Sequence, residues 1–221
     1  MSAEVEEYPQ VRFQAPPGSA TLLLFRHGAS APVRPGVPIP DVDGQDDPNL
    51  APEGEEQAEQ LAARFGGEHF DAIYVSTLRR TAQTAAPLAK ACGLTPIVEP
   101  DLREVFLGEW EGGGFRRHVS ERHPIAIKMY AEQRWDVIPG AEPGERFAAR
   151  VQGVVSRIAD RHAGERVAVF SHGGVIGAAL AWTTGSRPFA FSVVDNGSVS
   201  ELVNAPWGWV LRRFNDTAHL D

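Results

Sequence analysis

Cysteine is nearly absent from this chain. Cys92 is the only one, which excludes an intrachain disulfide and a zinc site built on several thiolates. Long apolar runs are also missing, since no stretch approaches the ~20 apolar residues that a membrane helix needs. Residues 1–7 are acidic where a signal peptide would be basic. We therefore expect a cytoplasmic protein without a membrane partner.

Excess positive charge is missing as well. The 221 residues carry 21 Lys and Arg against 29 Asp and Glu, a formal net charge of -8. This balance predicts that nucleic acid is not a partner. A local cluster of arginines would have to attract any anionic substrate against the overall field. The length suits one sizeable domain and is short for two.

Proline, glycine and hydrophobic periodicity divide the chain into segments. Residues 1–19 show no sustained period and are predicted to form an N-terminal arm, and residues 20–221 to form the domain. Apolar runs alternate there with segments of helical period. The pattern predicts an α/β fold: a single three-layer domain with a mostly parallel central sheet, helices on both faces and a helical capping insertion at about 112–143.

The individual elements follow from the same periodicity. The run 21–24 predicts the first strand, and residues 31–48, rich in Pro, Gly and Asp, predict a long loop. Further strands are predicted at 70–76, 96–98 and 166–170, with a closing hairpin of 198–203 and 209–214. Helices are predicted at 53–65, 78–91, 115–133, 144–162 and 174–182.

Two of the predicted strands end in histidine followed by glycine. Arg26-His27-Gly28 follows the first strand, and Ser171-His172-Gly173-Gly174 follows the strand at 166–170. If these strands are parallel neighbours, two imidazoles and a guanidinium converge at the carboxyl edge of the sheet, where α/β proteins bind ligands. Such a pocket suits a dianion, and one imidazole in it could act as a nucleophile. A lone Arg-His-Gly, in contrast, is more often a surface turn.

A second motif places arginines where a helix begins. Arg79 and Arg80 open the predicted helix at 78–91, although the dipole of a helix favours anions at that end. A bound anion that uses the guanidinium would explain one of them. We expect the other to be solvated.

A third motif, residues 102–112, sets three carboxylates among apolar residues. They belong to Glu104, Glu109 and Glu111. A carboxyl group beside Phe106 or Trp110 could have a raised pKa and serve as a general acid. The residues alone leave open which of the three does so.

Taken together, these motifs resemble the histidine phosphatase superfamily, the phosphoglycerate-mutase-like proteins. The matching segments are Arg26-His27-Gly28, Ser76-x-Leu78-x-Arg80-Thr81-x-x-Thr84, Leu102-x-Glu104 with Gly108-x-Trp110-Glu111-Gly112, and Ser171-His172-Gly173-Gly174. A fifth, Leu50-x-Pro52-x-Gly54-x-x-Gln57-Ala58, resembles the family's helix opening. The segments follow the family's order and span roughly residues 20–200.

The resemblance implies a role for each matched residue. His27 would be the nucleophile, and Glu104 would protonate the leaving oxygen and later activate water. Arg26, Arg80 and His172, with Gly173, would bind the phosphoryl group. Neither a metal nor another cofactor is implied. The expected partner is a small phosphorylated substrate, and the resemblance is compatible with a homodimer.

The leading hypothesis is hydrolysis of phosphomonoesters through a phosphohistidine. The rival within the family is a phosphoglycerate mutase, in which the stretch after Arg-His-Gly typically resembles Glu-Ser-x-Trp-Asn; residues 29–33 here read Ala-Ser-Ala-Pro-Val, which favours hydrolysis. A non-catalytic phosphate-binding protein ranks lower. A nucleotide-binding oxidoreductase ranks lowest, because the glycines at 173–177 lack the dinucleotide spacing.

Substrate identity stays open at this level. We expect substrate specificity to be determined by the loop 31–48 and by the insertion. Arg116, Arg117 and His118 of the insertion could bind a second anionic group of the substrate or simply be solvated. The four aspartates of the loop are expected to be solvated. His69, His162 and His219 lie in polar segments and are expected to be exposed.

Overall fold

The structure is a computed structural model that describes residues 7–34 and 36–221. Of the predicted arm 1–19, residues 1–6 lie outside the described residues, and residues 7–18 form neither helix nor strand. The described strands are β1 (Ala20–Arg26), β2 (Asp41–Val42), β3 (Gln45–Asp46), β4 (Ala72–Val75), β5 (Ile97–Val98), β6 (Arg166–Ser171), β7 (Val199–Ala205) and β8 (Gly208–Asp216).

Six α-helices occur in this described part of the chain. They are α1 (Pro52–Phe65), α2 (Arg79–Cys92), α3 (Gly114–Ser120), α4 (Pro124–Glu132), α5 (Gly144–Arg161) and α6 (Gly173–Thr184). Short 3₁₀ helices lie at Pro100–Leu102, Gly108–Trp110 and Trp135–Val137. Among residues 7–34 and 36–221, no helix combines the length and the apolar character that crossing a membrane requires.

The central sheet has six strands in the order β5-β4-β6-β1-β7-β8. Strands β5, β4, β6 and β1 run parallel, whereas β7 is antiparallel to both β1 and β8. The hairpin predicted near the C-terminus is β7 with β8. The mostly parallel sheet predicted from the sequence is therefore confirmed.

Side chains on β1 alternate between two cores because successive residues of a strand face opposite sides. Leu22 and Leu24 pack toward α5 and α6, and Leu23 and Phe25 pack toward α1 and α2. Both sets are almost fully buried, and helices cover both faces of the sheet. The result is the predicted three-layer α/β domain.

The insertion has a small core of its own, formed around Trp110, Met129 and Ile138. The single helix predicted over 115–133 is wrong, because this segment contains α3 and α4. Pro124, the first residue of α4, lacks an N–H and disfavours helical geometry at the residue before it. His123 is accordingly not helical, with φ of -54° and ψ of 140°, and its Nδ1 accepts a hydrogen bond from Ile125 N at 3.2 Å.

The long loop 31–48 contains the short hairpin of β2 and β3, which the sequence interpretation missed. Asp43 and Gly44 join the two strands with φ of 54° and 78°, the positive values that a type I′ turn requires. The expectation that the aspartates of this loop are solvated is wrong for Asp47. Its side chain is buried and accepts hydrogen bonds from Arg79 N and Nε, both at 2.7 Å.

Two of the histidines expected to be exposed are not. His162 is buried, with Nε2 2.9 Å from the hydroxyl of Tyr74 and Nδ1 2.5 Å from a carboxylate oxygen of Glu165. His219 is half-buried beside Arg64. His69 is exposed, as expected. Both predictions failed because they relied on the polar residues next to each histidine. Apart from Glu165, the groups that contact His162 and His219 are distant in sequence.

Candidate active site

The candidate site lies where β1 and β6 end side by side. These strands pair in parallel, with Arg26 opposite Ser171, so that His27 and His172 leave the sheet at the same level. Their rings are 5.1 Å apart between centroids. The convergence expected from the two motifs is present in the structure.

His27 is fixed by its own main chain and by its neighbours. Its amide donates to Ser171 O at 3.0 Å, and its carbonyl accepts from Asn196 Nδ2 at 2.9 Å. On the ring, Nδ1 donates to Gly28 O at 2.7 Å, because a carbonyl oxygen can only accept. The proton of the neutral ring is therefore on Nδ1, and the lone pair is on Nε2.

The environment of His27 favours the uncharged imidazole. The side chain is almost completely buried, and this desolvation, followed by the positive charges of Arg80 and Arg26, holds its pKa well below the ordinary value. A neutral imidazole is the form that carries a nucleophilic lone pair.

His172 lies beneath His27 and is fully buried. Its Nε2 is 2.8 Å from Ser76 Oγ, whereas its Nδ1 has no hydrogen-bond partner among the described groups. Desolvation, then the charges of Arg80 and His27, lower its pKa well below the usual range. The ring can take up a hydrogen bond or a proton when an anion binds above it.

Two guanidinium groups complete the inner end of the site. Arg26 Nη1 donates to Val194 O, and Arg26 Nε is buried without a partner among the described groups. Arg80 Nη1 donates to Asp46 O at 2.8 Å. Desolvation lowers the pKa of both guanidiniums. Both groups nevertheless stay charged, because the ordinary pKa of arginine is far above neutral pH. An unpartnered buried donor beside two buried cations suits an anion.

The two arginines predicted at the start of α2 have different partners. Arg80 faces the site, whereas Arg79 pairs with the buried carboxylate of Asp47. The expectation that one of the two interacts only with solvent is therefore wrong. Asp47 belongs to the loop before α1, so this ion pair could not be inferred from the local sequence.

Of the three candidate carboxylates, Glu104 lies at the cavity between two backbone amides. Its Oε1 accepts from Val105 N at 2.9 Å, and its Oε2 accepts from Gly174 N at 3.0 Å. Glu109 is exposed. Glu111 lines the cavity and accepts from Asp46 N and Leu107 N, and desolvation raises its pKa.

These groups open into a cavity of about 220 Å³. Its inner end is formed by Arg26, His27, Arg80 and Glu104, and His172 contacts the ring of His27 without lining the cavity. The mouth is formed by the loop after β1 and by the insertion, which contribute Ser30, Val33, Ile39, Phe115, Arg116 and Trp135. No cluster of three or more His, Cys, Asp or Glu suited to a metal ion occurs in residues 7–34 and 36–221.

The insertion residues singled out in the sequence fall in different places. Arg116 and Arg117 are both exposed, but of the two only Arg116 lines the cavity. His118 packs against Trp110, with ring centroids 4.8 Å apart. Asp46 is a cavity residue that the sequence interpretation placed in solvent; its carboxylate accepts from Gly112 N and Gly113 N at 2.7 and 2.8 Å.

Two glycines set how closely α1 approaches the loop after His27. A Cβ on Gly28 would lie 2.4 Å from Gly54 O, and one on Gly54 would lie 2.0 Å from Ala29 O. Such distances exclude any side chain at either position. The backbone contact explains physically why the motif after the first loop contains glycine.

Comparisons with known proteins agree with this geometry. The family model described as Histidine phosphatase superfamily (branch 1) matches residues 22–217. A Yersinia enterocolitica protein named probable phosphoglycerate mutase GpmB is 32% identical over 217 residues, covering 90% of this chain and 94% of that protein. The metal-independent phosphoserine phosphatase of Arabidopsis thaliana is 31% identical over 211 residues, covering 90% and 82%.

A solved structure supports the same assignment. The native structure of mycobacterial glucosyl-3-phosphoglycerate phosphatase superimposes with a TM-score of 0.74 and 25% identity, covering 90% of this chain and 100% of that one. The fold is thus of the phosphoglycerate-mutase-like α/β class. The chain belongs to the histidine phosphatase superfamily, whose members act on small phosphorylated substrates.

Proposed function

We propose that this protein hydrolyses phosphomonoesters through a phosphohistidine on His27. The observation that carries the proposal is the environment of that ring: it is buried, its Nδ1–H is held by Gly28 O, its pKa is lowered, and two guanidiniums lie beside it. Arg26 and Arg80 would bind the non-bridging oxygens of the phosphoryl group and stabilise its charge in the transition state.

The first step forms a bond between His27 Nε2 and phosphorus while the ester P–O bond breaks. The departing oxygen takes a proton from Glu104. His172 donates a hydrogen bond to the phosphoryl oxygens from below.

The second step returns the enzyme to its starting state. Water attacks phosphorus, the P–N bond breaks, and Glu104 takes the proton that the water loses. Inorganic phosphate leaves with the oxygen of that water. The names of related proteins, which include a phosphoserine phosphatase and a glucosyl-3-phosphoglycerate phosphatase, support hydrolysis.

A phosphoglycerate mutase activity is the second candidate, because a relative covering most of the chain is named as one. In a mutase the phosphoryl group returns to the bound intermediate instead of to water. The residues 29–33, Ala-Ser-Ala-Pro-Val, depart from the motif of the mutases and argue against this outcome.

Rapid quenching of turnover with a ³²P-labelled ester tests the proposal. We expect an acid-labile phosphoprotein in the wild type and none in His27→Asn, with kcat at least ~10³-fold lower in the variant. His69→Asn, at an exposed histidine, is the matched control. Turnover of 3-phosphoglycerate into 2-phosphoglycerate without release of phosphate would support the mutase instead, and full activity in His27→Asn would overturn both candidates.

A further inference from the structure

The main chain of Arg26 and His27 is held from one side by the turn formed by residues 195–198. The amide of Gly197 is shared between Arg26 O at 3.2 Å and His27 O at 3.3 Å. Asn196 Nδ2 donates to the same His27 carbonyl at 2.9 Å. Two adjacent residues of the turn thus fix the carbonyl group of the reactive histidine.

The orientation of the His27 ring depends on this carbonyl group. It belongs to the peptide bond that leads into Gly28, and the carbonyl oxygen of Gly28 accepts from Nδ1 of the ring at 2.7 Å. A displaced turn would rotate this peptide bond and move the acceptor that fixes the ring. The placement of Nε2 in the cavity therefore depends on the turn 195–198.

Residues that follow β8 support the turn from its other side. His219 Nε2 lies 2.9 Å from Gly197 O. A Cβ on Gly197 would lie 3.3 Å from Leu220 Cδ1 and 3.2 Å from Gln57 Cβ, so the turn is packed between this segment and α1. Gly197 therefore contacts His27 through its amide and His219 through its carbonyl.

The partners of the His219 ring determine where its proton lies. Nδ1 is 3.0 Å from Arg64 Nη1, and a guanidinium has only donors, so Nδ1 accepts this hydrogen bond. Gly197 O can only accept, so Nε2 carries the proton and donates it to that bond. Both hydrogen bonds together therefore require the neutral ring.

Arg64 is itself fixed in front of Nδ1. Its Nη1 and Nη2 donate to the two carboxylate oxygens of Asp216 at 3.1 and 2.6 Å. Among the described residues, the charged side chains that act on the ring are Arg64 from α1 and Asp216 from β8. Desolvation, with a smaller contribution from the charge of Arg64, lowers the pKa of His219. A proton on Nδ1 would face the donors of Arg64, which cannot turn away without leaving Asp216.

We propose that His219 is a positioning residue for the nucleophile: its neutral ring holds the turn 195–198 against the main chain of Arg26 and His27, and its protonation releases that turn. The inference rests on the phosphatase function proposed above. His219 does not line the cavity, so its effect reaches the reaction through Gly197.

Two variants separate the hydrogen bonds of His219 from its packing. His219→Leu removes both bonds, whereas the glutamine of His219→Gln can donate to Gly197 O and accept from Arg64 without titrating. At about pH 7.5 we expect His219→Leu to lower kcat about 10-fold and to change KM less than about 2-fold, because a displaced nucleophile slows the chemical step more than binding. His219→Gln should keep most of the wild-type kcat. His69→Gln, at an exposed histidine, is the matched control.

The pH dependence of kcat is a readout that a role in folding alone would not change. A neutral His219 is required, so the wild type should lose kcat as the pH falls below about 6.5 and this ring takes up a proton. His219→Gln should keep its activity to lower pH, until His27 itself is protonated. A loss of kcat at the same pH in both proteins would overturn the inference, as would full kcat in a folded His219→Leu.

NMR of the histidine rings tests the positioning without turnover. In the wild type, the ring signal of His27, assigned from its absence in His27→Asn, should shift as His219 titrates, and in His219→Gln it should not. This shift in a protein that hydrolyses no ester would refute the phosphatase function and leave the role of His219 standing. Hydrolysis without any response of His27 would refute the role of His219 and leave the phosphatase function standing.

Discussion

Gly174 holds the carboxylate of Glu104 through its backbone and leaves no room for a side chain. Its amide donates to Glu104 Oε2 at 3.0 Å, and a Cβ at this position would lie 2.5 Å from Oε1. The φ of Gly174 is not in the left-handed region, so alanine would suit the backbone. Glycine is required here by the contact with Glu104.

Gly174→Ala should therefore reduce activity without loosening the fold. We expect kcat for alkyl phosphates to fall about 10- to 100-fold, because the displaced carboxylate protonates the leaving oxygen poorly. p-Nitrophenyl phosphate, whose leaving group needs little protonation, should lose less. Steady-state kinetics on both esters check this, with Gly153→Ala in α5 as the control, since its Cβ would meet only Arg157 Nη1 at 3.3 Å. Equal losses on both esters would contradict the role of Glu104 as the acid.

Gly54→Ala should destabilise the protein. The added Cβ would lie 2.0 Å from Ala29 O, a backbone atom that moves only if α1 or the loop after β1 moves. Overpacking of this kind costs about 1–3 kcal/mol in the free energy of unfolding, measured by urea denaturation. Gly67→Ala, where nothing lies within 4 Å, serves as the control. An unchanged urea midpoint for Gly54→Ala would show that the two segments are not in contact in solution.

The two buried histidines predict a loss of stability in acid. Burial and the charge of Arg80 lower the pKa of His27 and His172 below the ~6.5 of an unfolded chain. Between the two values the unfolded chain binds more protons, so stability is complete above about pH 6.5 and falls as the pH decreases below it. Each histidine contributes a slope of up to about 1.4 kcal/mol per pH unit.

Urea denaturation between pH 5 and pH 7 measures this slope. His172→Gln should reduce it, since one of the two titrating groups is gone, whatever its effect on stability at neutral pH. His69→Gln, at an exposed position, should leave the slope as it is. A wild-type protein equally stable at both pH values would rule out neutral buried imidazoles as the main titrating groups.

Asp46 joins the hairpin of β2 and β3 to the insertion, and its removal should weaken phosphate binding. Its carboxylate accepts from Gly112 N and Gly113 N, and its carbonyl oxygen accepts from Arg80. In Asp46→Ala the loop loses this anchor and Arg80 is less well positioned, so we expect KM for all phosphate esters to rise about 3- to 10-fold. Asp43→Asn, at a carboxylate 78% exposed, is the control, since asparagine tolerates the positive φ of the turn. A rise confined to one ester would point to substrate contact instead.

Much of the architecture could be predicted from local patterns. The alternation of apolar runs with segments of helical period predicted the mostly parallel sheet. The two histidine motifs predicted which strand ends lie together, because parallel neighbours in a sheet end at the same edge. Pro124 and the Asp43-Gly44 dipeptide were local signals for the helix break and for the hairpin. Both could have been recognised.

The remaining features depend on contacts between segments far apart in the chain. Asp47 is buried because it pairs with Arg79, and His162 because it meets Tyr74. Arg116 lines the cavity and Arg117 does not, because adjacent residues of a helix project about 100° apart around its axis. No pattern within either residue's own segment distinguishes these outcomes.

The inner and outer parts of the cavity have separate origins in the chain. Arg26 and the two histidines leave directly from strand ends, whereas the mouth is built by a loop and an insertion whose small core is its own. Substitutions at positions 31–33, 39 and 115–116, whether by evolution or in a combinatorial library, can therefore change the entrance of the cavity. The reactive groups at its inner end and the sheet that carries them would stay unchanged.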